Sequence, residues 1–134
     1  SASELITGVV MTVARNVIVV VDDDQAVRDS LKFSLELDGL SVHVCDSADA
    51  LLTFPGLADA ACLVLDYRMP KVDGFQLSER LTAGGISVPR ILITAPLSNA
   101  LRDRAKAAGF FATLEKPLLD NVLLDNVHAA MASG

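Results

Sequence analysis

The sequence predicts an α/β fold, a doubly wound sheet of five parallel strands that alternate with five helices. Three observations predict it. Apolar runs of four or five residues recur along the chain, and the first, Val17 to Val21, is β-branched without polar alternation, as in a parallel strand covered on both faces. Between the runs lie segments with apolar residues at helical spacing, closed by Gly39, Gly84-Gly85 and Gly109. At 134 residues and 51% hydrophobic, the chain is long enough for one domain with a substantial core.

The elements follow in order. After Val17–Val21, a helix is predicted over Gln25–Asp38, with Val27, Leu31 and Leu35 on one face, Asp24 as its cap and Gly39 as its stop. Ser41–Cys45 reads as a second strand, with Val42 and Val44 alternating against Ser41 and His43. Ser47 opens a short helix through Leu51 and Leu52 that ends by Pro55-Gly56. The third strand, residues 62–65, ends abruptly on Asp66, and Pro70 prevents its extension. A loop through Asp73-Gly74 leads to a helix over about 75–82, then a strand at Arg90–Ile93. A helix over Ser98–Ala108, a strand over Phe111–Leu114 and a final helix over Leu118–Met131 complete the pattern. The last helix carries Leu119, Val122, Leu123 and Val127 as its apolar side. Residues 1–15 read as an N-terminal extension and 16–134 as the domain, with Met11 a candidate natural start.

Composition narrows the function. With 11 Lys+Arg against 17 Asp+Glu, the net charge of -6 argues against a nucleic-acid-binding face. Arg102, Arg104 and Lys106, the densest basic group, are interrupted by Asp103 and read as a solvated helix face. Cys45 and Cys62 lie in apolar strand-like runs without metal-ligand spacing, which indicates buried thiols in a reducing, cytoplasmic setting. No apolar run reaches the ~18 residues of a membrane span. His43, on the second strand, and His128, on the last helix, read as ordinary surface or half-buried positions.

In a doubly wound sheet, functional groups gather beyond the carboxyl ends of the strands. Here the first strand delivers Asp22-Asp23, the third Asp66, the fourth Thr94 and the fifth Lys116. Singly, each has an ordinary explanation as a turn, a cap or a surface group. Together they place three carboxylates, a hydroxyl and an ammonium at one edge. Close carboxylates repel each other unless a cation sits between them, and hard oxygen ligands suit Mg²⁺. A carboxylate beside that cation is equipped to act as a nucleophile toward a phosphoryl group, with Lys and Thr donating to its oxygens.

The stretches Val21-Asp22-Asp23-Asp24, Val64-Leu65-Asp66-Tyr67-Arg68-Met69-Pro70, Ile93-Thr94-Ala95 and Glu115-Lys116-Pro117 resemble the motifs of response-regulator receiver domains, the CheY-like modules of bacterial two-component systems. The resemblance spans about residues 16–131, and the loop after Asp66 with Ala107-Ala108-Gly109 is most similar to receivers of LuxR-type regulators. It implies a flavodoxin-like sheet in the order 2-1-3-4-5. It implies that Asp66 accepts a phosphoryl group from a sensor histidine kinase or phosphotransfer protein. It further implies that Asp23 binds Mg²⁺ directly, Asp22 through water and Arg68 through its backbone carbonyl. Lys116 and Thr94 would contact the phosphoryl oxygens, Lys116-Pro117 would be cis, and Asp24 would cap a helix rather than bind metal.

Such a module is not an enzyme beyond its own Mg²⁺-dependent phosphorylation and dephosphorylation. It signals through altered protein–protein contacts to a downstream partner, and no DNA-binding output domain is expected in this chain. A homodimer face is expected across the fourth helix, fifth strand and fifth helix, with Leu97, Leu101 and Phe110. Two alternatives compete. A haloacid-dehalogenase-like phosphatase also uses an Asp nucleophile, but its second Asp is replaced here by Arg68. A degenerate, phosphorylation-independent receiver is the other. A flavodoxin-like cofactor site is disfavoured, because Asp22-Asp23-Asp24 stands where a phosphate-cradling loop would be.

Two departures bear on the read-out. Receivers usually carry an aromatic residue three positions before the Lys, where this chain has Thr113. Phe111 lies on the same face but is expected in the core, so the switch is expected to be muted or altered. Pro96, two residues after Thr94, cannot orient a water by hydrogen bonding from its backbone nitrogen, which points to slow self-dephosphorylation.

Overall fold

The structure is a computed structural model and describes residues 17–133. The proposed N-terminal extension therefore lies outside the described residues. Five strands, β1 (Val17–Val21), β2 (Ser41–Cys45), β3 (Cys62–Asp66), β4 (Arg90–Thr94) and β5 (Ala112–Glu115), form one parallel sheet in the order β2-β1-β3-β4-β5. Between them run α1 (Gln25–Leu37), α2 (Ala48–Leu52), α3 (Gly74–Ala83) and α4 (Asn99–Ala107), and α5 (Val122–Ser133) follows β5. The strand order is the one the resemblance implied.

The unalternating strands are explained by two cores. Val19, Val21, Leu63, Leu65 and Leu92 pack with Leu51, Phe75, Leu77, Leu81 and Ala105 on one side of the sheet. Ile18, Val20, Val64, Ile91 and Ile93 pack with Leu31, Leu35, Leu123 and Val127 on the other. A strand buried on both faces has no use for a polar alternate position. β2 lies at the sheet edge and alternates accordingly, with Val42 and Val44 half-buried between exposed Ser41 and His43.

Local chemistry sets the helix starts. Asp24 accepts a hydrogen bond from Ala26 N at 2.9 Å, Ser47 from Ala50 N at 3.2 Å and Ser98 from Leu101 N at 3.0 Å. Asp73 and Gln76 form a reciprocal capping box at the start of α3. Gly109, with φ +91°, ends α4 in the left-handed region.

Three expectations are corrected. The final helix begins at Val122, not Leu118, because Asp120 adopts a left-handed φ of 55° and breaks the helical path after Pro117. Leu119 and Val122 are consequently exposed, while Leu123, Val127 and Ala130 turn inward. Phe110 is buried and meets Phe75 edge to face at 5.6 Å, so it cannot belong to a docking surface. Phe111, expected in the core, is instead 40% exposed and precedes β5. A short 3₁₀ turn at Leu57–Asp59 has no counterpart in the sequence reading.

Cys45 and Cys62 are free and buried; burial, with Asp46 nearby, raises the Cys45 thiol to about 11, and burial raises Cys62 to about 12. No helix among the described residues is long and apolar enough to cross a membrane.

Arg90 is the unforeseen part of the core. Its buried guanidinium donates to the carbonyls of Ser78, Ile86 and Val88 and to the hydroxyls of Ser78 and Thr82. It therefore ties the start of β4 to the end of α3 and the loop that follows. Replacing it leaves several carbonyls buried and unpaired. Arg90→Ala is expected to lower unfolding free energy by about 3 kcal/mol in urea titration, and Arg90→Lys should recover less than half, since an ammonium cannot reproduce the fork.

Candidate functional site

The register of the sheet assembles the site. Val21 pairs with Leu65, so the next residues, Asp22 and Asp66, emerge side by side from β1 and β3. Asp66 lies opposite Ile93 and Thr94 opposite Glu115, which brings the ends of β4 and β5 to the same edge. Asp22, Asp66 and Thr94 are all buried.

Lys116 closes the group. Its Nζ donates to Asp22 Oδ2 at 2.8 Å and to Asp66 Oδ1 at 3.1 Å. Asp22 is held in turn, because its Oδ1 accepts from Asp24 N at 2.9 Å and its carbonyl accepts from Arg28 at 2.8 Å. Asp23 is exposed, and it brings a carboxylate oxygen to within 4.8 Å of those of Asp22 and Asp66. Asp24 faces away into its capping role, as expected. Arg68 is exposed and its guanidinium lies 5.5 Å from the Tyr67 ring centroid. The peptide bonds Lys116-Pro117, as the resemblance implied, and Ala95-Pro96 are both cis.

One ammonium thus faces three carboxylates, and the protonation of Asp66 reflects it. Burial first, then the charges of Asp22 and Asp23, push its carboxyl up to about 6 against the opposing pull of Lys116. For Lys116, burial alone would favour the neutral amine, but its hydrogen bonds to Asp22 and Asp66 prevail and raise it above the ordinary value. The donor set of three carboxylates, without His or Cys, fits a hard divalent cation that keeps several waters.

Gly74 explains how closely the loop after Asp66 folds back. A Cβ there would meet Leu92 Cδ1 at 2.7 Å and the Asp66 carbonyl oxygen at 2.8 Å. Only the hydrogen of a glycine fits, so the start of α3 lies directly against the backbone of Asp66.

Residues 18–128 match the family model of the response regulator receiver domain. The chain belongs to the response regulator receiver family. It is 38% identical over 113 residues to the transcriptional regulatory protein TdiR of Thauera aromatica, covering 84% of this chain and 50% of TdiR. It is also 38% identical over 115 residues to FixJ of Bradyrhizobium diazoefficiens, covering 85% of this chain and 56% of FixJ. The crystal structure of FixJ-N matches with a TM-score of 0.78 at 34% identity, covering 87% of this receiver and 93% of that chain. The Francisella response regulator 1452 receiver domain shares the fold, with a TM-score of 0.81 at 24% identity over 87% of this chain and 97% of that one. This receiver spans about half the length of the curated relatives it matches.

Receivers are signalling modules of two-component systems and bind Mg²⁺ at an acidic pocket; in this chain Asp22, Asp23 and Asp66 form an acidic cluster whose carboxylates could hold a metal ion. Membership sets aside the haloacid-dehalogenase alternative. Thr113 is half-buried and Phe111 is 40% exposed, so neither position supplies a buried aromatic in place of the family's inward ring.

The Asp66 shift has a consequence for stability. A carboxyl raised from 3.8 to about 6 contributes stability that is complete below its unfolded value and lost as pH rises through about 6. Asp66→Asn is therefore expected to match the wild type near pH 4. Above pH 7, without divalent cation, it should be more stable by about 1–3 kcal/mol in urea titrations. Parallel curves across that range would contradict the electrostatic account.

Proposed function

We propose that this receiver accepts a phosphoryl group on Asp66 from the phosphohistidine of a sensor histidine kinase or phosphotransfer protein. The observation that carries the reading is the Lys116 contact to Asp66 Oδ1, which leaves the second carboxylate oxygen of Asp66 for attack. That oxygen forms the new bond to phosphorus as the phosphorus–nitrogen bond of the donor breaks. The leaving imidazole nitrogen keeps the bonding pair and takes up a proton. Near neutral pH, a carboxyl at about 6 is mostly ionised and hence nucleophilic.

Asp22, Asp23, Asp66 and the Arg68 backbone carbonyl are the proposed holders of Mg²⁺, which when bound neutralises charge on the carboxylates and the phosphoryl oxygens. Lys116 stays within reach of the acyl phosphate, and Thr94 is the proposed hydroxyl donor at the end of β4. The complete acidic set supports this reading over a phosphorylation-independent receiver. Product formation replaces the single charge of the Asp66 carboxylate with roughly two on the acyl phosphate, a net gain of about one negative charge at a buried edge already short of cations, which biases the domain toward a second arrangement of its surface. The proposed dimer face keeps half-buried Leu97 and Leu101 but not Phe110. Downstream contact is with a protein partner, and an acidic chain with no basic stripe is not proposed to bind nucleic acid or a membrane itself.

Incubation with Mg²⁺ and acetyl phosphate should add the mass of one phosphoryl group to the wild type and none to Asp66→Asn, and EDTA should abolish the gain. Labelling of both proteins, or of neither, would overturn the acceptor assignment. The phosphorylated wild type should then lose its phosphoryl group slowly, and Pro96→Asn should shorten its lifetime several-fold. Equal lifetimes would remove Pro96 from the account.

A further inference from the structure

The end of β5 holds two things at once, the carboxylates of the site and the loop that leads into α4. Lys116 Nζ donates to Asp22 and Asp66, while Lys116 N donates to the Thr94 carbonyl at 2.7 Å. The residue before it, Glu115, lies opposite Thr94 in the sheet, and its Oε2 accepts from Leu97 N at 2.8 Å. Leu97 directly precedes Ser98, the cap of α4. Glu115, the last residue of β5, and Lys116 directly after it thus pin both ends of the segment Thr94–Leu97.

We infer that Glu115 is a positioning residue for the Thr94–Leu97 segment and the first turn of α4, which Lys116, the next residue, joins to Asp66 through hydrogen bonds. The inference rests on the reading of Asp66 as the phosphoacceptor for its signalling sense, but the tether itself belongs to the resting molecule. Three observations carry it. The tether spans 18 residues of sequence, so it fixes one element against another rather than capping a local turn. A carboxylate accepting from a backbone N–H is a charge-assisted bond with defined direction. No buried aromatic ring stands at the end of β5 to share that part, because residue 113 is threonine and Phe111 is 40% exposed. A change of charge on Asp66 pulls on Lys116; Lys116 N and Glu115 carry that displacement to Thr94 and Leu97, and Ser98 passes it to α4.

Two substitutions in the full chain separate positioning from simple structural support. Glu115→Ala removes the acceptor, whereas Glu115→Gln retains an amide oxygen at the same reach. Without phosphodonor, Glu115→Ala is expected to speed exchange of the Leu97 amide by on the order of tenfold and to move the Thr94 methyl resonance, while Glu115→Gln stays near wild type. With Mg²⁺ and acetyl phosphate, Glu115→Ala should still gain a phosphoryl group by mass but lose the linked amide shifts over Ser98–Arg102, and Glu115→Gln should keep them. Unchanged Leu97 exchange in Glu115→Ala would overturn the inference, as would a Gln variant that behaves like Ala. A wild type that takes no phosphoryl group would count against the acceptor assignment alone, and the exchange comparison would still decide the role of Glu115.

Discussion

Two carboxylates that leave neighbouring strands side by side, both out of water, repel each other, and the Lys116 ammonium between them is what holds them there. Much else follows from that balance. Lys116 cannot approach unless β5 runs past β4 in its observed register, and β4 cannot deliver Thr94 unless its start is anchored by Arg90. The balance is also incomplete by design of the sequence. One cation against three anions leaves a deficit that favours either a proton on Asp66 or a metal ion, and both relieve the same strain. A site left short of positive charge favours uptake of a hard divalent cation.

Most of the architecture was legible because its causes are local. β-branched runs, caps at Asp24, Ser47 and Ser98, and stops at Gly39 and Gly109 act through neighbouring residues, so the residues alone report them. The carboxylate edge was legible for a different reason, since parallel strands all end on the same side. What escaped was decided at a distance. Leu119, Val122, Leu123 and Val127 fit a helical stripe, and the left-handed backbone at Asp120 leaves Leu119 and Val122 outside it. Phe110 and Phe111 are adjacent and equally apolar; the geometry of the turn at Gly109 decides which ring meets Phe75. Arg90 looked like an ordinary strand end because its partners, Ser78 and Thr82, belong to a helix more than a turn away in sequence. Glu115 had no signal at all beyond standing next to Lys116.

Transmission through this fold takes one of two physical forms. Packed rings move as bodies and need a cavity to enter, whereas a hydrogen bond to the backbone passes displacement along the chain without one. Tyr67, Phe75 and Phe110 form an edge-to-face series that starts at the residue after Asp66, with the Arg104 guanidinium 3.9 Å from the Phe75 centroid. Those rings are well packed, which suits a fixed wall. In the proposed switch the moving part is the β4–α4 segment with its polar attachments, consistent with the small side chain at Thr113.

The buried cysteines carry a practical benefit for watching such motion. Because Cys45 and Cys62 stay protonated and shielded well beyond physiological pH, alkylating probes meet no competing native thiol on the folded protein. A single cysteine introduced on an exposed turn of α4 would therefore take a fluorophore or spin label selectively. The native background offers a clean optical or magnetic window onto the surface it was never selected to report.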